Sequence, residues 1–232
     1  MRRVLPVIFL CLALGASAAG LPAPYRAVLA KLSADVPRGW AYTTTTTRNG
    51  DTSVERFDPA RPHEEQWTLL ARNGQPPTAT EAARYRSYRV TTSTSTLRAT
   101  FERGDIDPAT AELVSEDDAR AVYRCKFRQD VDDAMLNHLE LTLVFRKEPA
   151  AVEKFTLYLT EPFSPVLGMK MQSLTVETTL SAATTESPAL PRESLSRFHG
   201  RVLFFKSVDE EVRVAYSDFR RAETAATDGR RR

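Results

Sequence analysis

The sequence predicts an α+β, mostly β fold: a large curved antiparallel sheet, in effect an incomplete β-barrel, with an N-terminal helix and one or two inserted helices on the concave side. Three observations lead there. Long stretches alternate apolar and polar side chains with a period of two, as strands that bury one face do. The turn dipeptide Asn49-Gly50 separates two such stretches at hairpin spacing, and Asn73-Gly74 closes another. Clear helical signals are confined to two segments. Roughly nine or ten strands cannot lie flat, because twist accumulates across a sheet and curls it.

The chain opens with Arg2 and Arg3, an apolar run from Val4 to Leu14, and the small residues Gly15-Ala16-Ser17-Ala18. This is the layout of a cleaved export signal over residues 1–18, with cleavage after Ala18 or one residue later. The apolar run is about half the ~20 residues a bilayer span needs, so no transmembrane segment is expected. Leu10 precedes Cys11 where lipid attachment requires a small residue. The reading is export, leaving residues 19–219 as one β-rich domain and 220–232 as a disordered basic tail.

Losing Arg2 and Arg3 from the 32 basic residues leaves them balanced by the 30 acidic ones. A neutral body lacks the clustered positive surface that phosphate backbones demand, so nucleic acid is not an expected partner. Arg220, Arg221, Arg230, Arg231 and Arg232 concentrate positive charge in a tail without apolar periodicity. Cys11 leaves with the leader, and Cys125 then stands alone in the alternation Ala121, Tyr123, Cys125, Phe127. It reads as a small buried hydrophobe, in a protein that relies on its core rather than on disulfides. A monomer is expected.

Tyr25, Val28, Leu29 and Leu32 form one apolar stripe over a helix from Pro24 to Asp35, stopped by Pro37. Thr78 and Glu81 have capping-box spacing for a second helix after Gln75-Pro76-Pro77. A further helix around Leu97 to Arg103 is a candidate. Strands are expected at Trp40 to Thr47, Ser53 to Phe57, Gln66 to Arg72, Ala111 to Ser115 and Ala119 to Gln129. They continue at Leu139 to Phe145, Phe155 to Leu159, Met169 to Leu180, Leu195 to Lys206 and Glu211 to Phe219. Gly200 suggests a bulge or bend.

Catalytic patterns are missing. His63, His138 and His199 lie far apart without ligand spacing, and no nucleophile elbow, SxxK, HExxH or phosphate-binding glycine loop occurs. No metal and no cofactor are expected, and enzymatic activity has no motif behind it. The candidate ligand-binding residues are the alternating apolar face: Trp40, Tyr42, Trp67, Tyr123, Phe127, Phe145, Phe155, Met169, Phe204 and Tyr216. They line either an apolar cavity or a filled core. Phe163, Val166 and Leu167, set among Pro162, Pro165 and Gly168, form a candidate hydrophobic loop facing a ligand, a partner or a membrane. Arg120, Arg124, Lys126 and Arg128 share the solvent side of one strand, within reach of Glu140 and Glu153.

The order of elements, with segments such as Val54-Glu55-Arg56-Phe57-Asp58-Pro59, Trp67-Thr68-Leu69-Leu70 and Glu161-Pro162-Phe163-Ser164-Pro165, resembles the periplasmic lipoprotein-sorting carriers of the LolA/LolB type. It is closer to their uncharacterised periplasmic relatives. The resemblance implies a place in the periplasm of a Gram-negative bacterium and an incomplete β-barrel lidded by helices that holds acyl chains, with a lipid or a lipidated envelope protein as partner. No site residue carries over from it. The alternative is a cell-envelope interaction protein whose core is filled.

Overall fold

Period-two alternation produces ten antiparallel strands in a single open sheet among the described residues. The computed structural model describes residues 20–92, 101–130, 133, 135–203 and 205–222. The strands are β1 (Trp40–Arg48), β2 (Asp51–Phe57), β3 (Trp67–Arg72), β4 (Ile106–Glu116), β5 (Arg120–Phe127), β6 (Leu139–Arg146), β7 (Ala151–Leu159), β8 (Met169–Leu180), β9 (Pro191–Val202) and β10 (Lys206–Arg221). Helices α1 (Ala23–Leu29) and α2 (Ala79–Thr92) complete the main elements.

The strand order is β3-β2-β1-β10-β9-β8-β7-β6-β5-β4, so β1 and β10, distant in sequence, are neighbours mid-sheet. The two edges, β3 and β4, are consecutive in the chain. Their connection leaves one edge and returns at the other, and it carries α2 across the concave face.

Turn chemistry fixes much of the register. Asn49 and Gly50, which join β1 to β2, have φ of 50° and 93°, and Asn73 and Gly74, in the tight turn that ends β3, have 48° and 77°, the left-handed pairs such turns need. At Gly200 the side-chain position is taken: a Cβ there would lie 2.6 Å from the Lys170 carbonyl oxygen. The irregularity predicted at this glycine sits on its partner strand, where β8 shifts register between Met171 and Ser173 opposite Gly200 and His199.

The helices differ from expectation in length. The α-helix α1 ends at Leu29 rather than Asp35, and the chain tightens so that Leu32 N–H donates to the Leu29 carbonyl 3.0 Å away. This turn still buries Leu32, which is why the apolar stripe read as a longer helix. The capping box of α2 is formed: Thr78 N–H donates to Glu81 at 2.8 Å and Glu81 N–H to the Thr78 hydroxyl at 3.2 Å. Of the candidate third helix, residues 97–100 lie outside the described residues, and Arg103–Asp105 is a short 3-10 turn.

Three strands run differently from expectation. β4 begins at Ile106, five residues ahead of the expected start at Ala111. β9 spans Pro191–Val202 instead of Leu195 to Lys206, because the apolar run after Val202 is a hairpin tip and not strand. β10 passes Phe219, since Arg220 and Arg221 pair with Ala41 and Trp40 and Arg220 donates to Asp58 at 2.8 Å. The ordered domain therefore takes in two residues assigned to the tail.

Candidate functional site: a cleft on the concave face

The concave face divides into two parts with different fillings. Under α1, strands β5, β6 and β7 turn inward Ala121, Tyr123, Cys125, Phe127, Leu141, Leu143, Phe145, Phe155 and Leu157, all buried. The Tyr25 ring of α1 stacks on Phe145 at 4.5 Å between centroids and meets Tyr123 edge-on at 5.7 Å. Phe101 closes the other side against Phe127 and Phe155. These contacts pack α1 directly against the sheet.

Beyond β7 the inward side chains shrink. Thr44 and Thr46 on β1, Val212 and Val214 on β10, Ser194 and Ser196 on β9, and Val176 and Thr178 on β8 form a shallow wall. A cleft of ≈ 580 Å³ lies over it, within the usual range for ligand sites. The wall is uneven along the strands. Hydroxyls occupy one end beside Tyr216, where Thr178 and Ser194 lie 3.1 Å apart. Phe198, Val202, Met169, Met171 and Val208 make the other end apolar except for Glu210, which stands opposite Phe198 and is paired with Arg48.

Helix α2 arches over the hydroxyl end and is held there by charge. Glu55, buried on the concave side of β2, accepts from the Tyr85 hydroxyl at 2.9 Å and pairs with the Arg89 guanidinium. Arg89 also lies over the Trp67 ring, 4.3 Å from its centroid. Burial, followed by the Glu55 charge, pushes the Tyr85 phenol well above its ordinary range. For Arg89, burial pulls downward, but the Glu55 carboxylate and Tyr85 outweigh it and leave the guanidinium raised. This cluster ties α2 to the sheet, and Arg89 shows one side to the cleft. At the rim Arg48 and Glu210 form a second ion pair.

Of the candidate ligand-binding residues, Trp67, Phe155, Met169 and Tyr216 line the cleft. Tyr123, Phe127 and Phe145 are instead sealed beneath α1, and Trp40 is buried outside the cleft lining. Tyr42 is enclosed by Phe57, Trp67, Tyr216 and Phe219, with ring centroids 5.3 to 6.0 Å away. Phe204 lies outside the described residues. In the candidate hydrophobic loop, Phe163 is half-buried and stacks on His138 at 4.2 Å, whereas Val166 and Leu167 are exposed. Sequence reasoning missed the hydroxyls of Thr44, Thr46, Thr178, Ser194 and Ser196, as well as Arg89. The threonine run and the Tyr85/Arg89 spacing of four residues, one helical turn, are the signals that point to them.

The convex basic stripe is neutralised. Arg120 pairs with Glu153 at 2.7 Å, Arg124 with Glu112 at 3.2 Å and Arg128 with Asp130 at 2.9 Å, and Lys126 stands opposite Glu140. Among the described residues no cluster of metal-ligand type occurs, and no helix is long and apolar enough to cross a membrane. Comparison of the chain with protein-family models, curated proteins and solved structures finds no match.

Proposed function

We propose that the protein is an exported, non-enzymatic carrier that binds an amphiphile, a lipid or the lipidated end of another protein, in the cleft between α2 and strands β8 to β10 and β1. The observation that carries this reading is the uneven wall: Phe198, Val202, Met169, Met171 and Val208 give apolar surface towards one end, and the Thr44, Thr46, Thr178 and Ser194 hydroxyls with the Arg89 guanidinium give polar groups towards the other. Such an arrangement matches a molecule with an apolar chain and a polar or anionic head. Chain burial contributes about 0.8 kcal/mol per methylene, and the head keeps its hydrogen bonds. The leader at residues 1–18 supports periplasmic delivery by its composition.

An environment-sensitive fatty-acid probe tests the reading. Saturable, stoichiometric binding to the folded protein is expected, with competition by lipid co-purified from periplasm. Ser196→Trp, which puts an indole into the cleft from the middle of β9, should remove binding while the protein stays folded. Absence of saturable binding by the native protein overturns the proposal and favours an envelope protein that works through its surface.

A further inference from the structure

The apolar end of the cleft continues onto the protein surface as an exposed lip. Two turns make it. Val166-Leu167-Gly168-Met169 closes with Met169 N–H donating to the Val166 carbonyl at 3.2 Å, and Gly168 takes φ of 83°, as a type II turn requires at its third residue. Leu167 occupies the apex and is 98% exposed. The second turn joins β9 to β10 through Leu203 and Phe205, which are 60% and 81% exposed. Leu203 N–H donates to the Gly168 carbonyl at 2.7 Å, so the two tips form one ridge. Met169 and Val202 pair directly behind it and also line the cleft.

Neither stability nor turn chemistry explains these residues. Leu203 has φ of 52°, a conformation that costs a residue with a Cβ roughly 1–2 kcal/mol and that glycine or asparagine would adopt at lower cost. Leucine, valine and phenylalanine at solvent-exposed tips contribute little burial energy. Their setting is cationic: Lys170 and Arg201 face one another across β8 and β9, and Lys206 opens β10 opposite Val202. All three are exposed, and among the described residues none forms an ion pair with a carboxylate. The nearby acids are engaged elsewhere, Glu161 with His138 and Asp209 with His199.

We propose that this ridge is a membrane-docking lip, in which Val166, Leu167, Leu203 and Phe205 enter the headgroup boundary while Lys170, Arg201 and Lys206 meet anionic lipid phosphates. Apolar tips ringed by unpaired cations fit an anionic bilayer surface, where burial and headgroup attraction add. Docked in this way, the protein would present the apolar end of its cleft to the bilayer. The inference concerns a surface separate from the cleft interior, so it stands or falls independently of what the cleft holds.

Co-sedimentation with vesicles tests it. The native protein should bind vesicles of phosphatidylethanolamine and phosphatidylglycerol, and bind phosphatidylcholine vesicles much more weakly. Lys170→Gln with Arg201→Gln should weaken binding to the anionic vesicles by about fivefold per cation removed. Leu167→Asp with Phe205→Asp should abolish it at unchanged Tm, since both side chains already face solvent. Ser196→Trp should leave vesicle binding intact. Equal binding of the native protein and the Leu167→Asp/Phe205→Asp variant, or no vesicle binding at all, overturns the proposal. A native dimer that this variant dissociates without vesicles also overturns it, assigning the ridge to a second copy of the chain.

Discussion

Beneath α1 the inward face of the sheet is built from leucine and phenylalanine packed with the helix, whereas beneath α2 it is built from valine, serine and threonine that line a cleft. Both faces follow the same strand alternation and share one continuous sheet. Side-chain volume and helix placement make the difference. Helix α1 sends Tyr25 and Leu29 into the sheet, and each finds a large partner. Helix α2 makes its main attachment through a charged cluster at its last turns, and a helix held by its ion pair can stand off from a wall of small residues. One end of the protein thus buries its apolar surface in the core, and the other leaves its wall open to the cleft.

The largest effect should come from breaking the filled side. Phe145 is fully buried and stacked on Tyr25, so Phe145→Ala should cost about 3–5 kcal/mol in urea unfolding. Val214→Ala on the cleft wall should cost less than about 1 kcal/mol, because its side chain is only partly enclosed. Equal losses at both positions would mean that the cleft is no more open than the core.

The arch comes next. Arg89→Ala leaves the buried Glu55 carboxylate with the Tyr85 hydroxyl but no cation, at a cost of about 2 kcal/mol, and should loosen α2 enough to raise hydrogen exchange along it. Raising the pH attacks the same cluster. Because the folded phenol of Tyr85 holds its proton above the ordinary value of 10.0, the unfolded chain ionises first. Its contribution is complete below pH 10 and fades as the pH climbs further. In Tyr85→Phe this part of the alkaline decline should be gone, as read by unfolding free energy across that range. An unchanged decline would detach the arch from this cluster.

The filled side has its own alkaline marker. Burial pushes the Cys125 thiol up from 9.0 to about 12, so the stability it contributes is intact below pH 9 and lost between there and pH 12. At neutral pH Cys125 in the native protein should not react with a thiol reagent, and unfolding in urea should make it reactive. Cys125→Ala should cost about 1 kcal/mol. Fast reaction of the native protein would show that the α1 side opens as readily as the cleft.

Legibility in the sequence follows the same division. Alternation in Ala121 to Phe127 and Leu139 to Phe145 placed each strand and its inward face correctly, because large apolar residues at every second position admit a single orientation. The Asn-Gly turns and the Thr78/Glu81 capping box were equally plain. On β9 the residues lining the cleft are Ser194 and Ser196, while Leu195 lies on the other side of the strand, so polarity alone does not mark the inward face there. Val202 to Phe205 failed for a related reason. A turn made of leucine and phenylalanine has strand composition and none of the glycine, proline or asparagine that marks a turn. The aromatic candidates in the filled region and the hydroxyls of the cleft trade places for one physical reason: bulk fills space, and an open site requires its absence.

The smallest effect on stability should discriminate the two regions most finely. Thr46 faces the cleft from β1, and its hydroxyl has no hydrogen bond to the described residues, so water or ligand is its natural partner. Thr46→Val keeps the shape and the β-branching while removing that hydroxyl. In an open cleft the exchange should alter unfolding free energy by less than about 0.5 kcal/mol, because nothing inside the protein loses a partner. It should nevertheless shift ligand choice, weakening a probe whose polar head reaches the hydroxyl end relative to a plain alkyl chain of equal length. Measuring both probes against the native protein and Thr46→Val separates the two contributions. A clear stability change with no change in preference would place Thr46 in a filled environment like that of Leu143, and the contrast between the two parts of the sheet would narrow to the β9 and β10 wall alone.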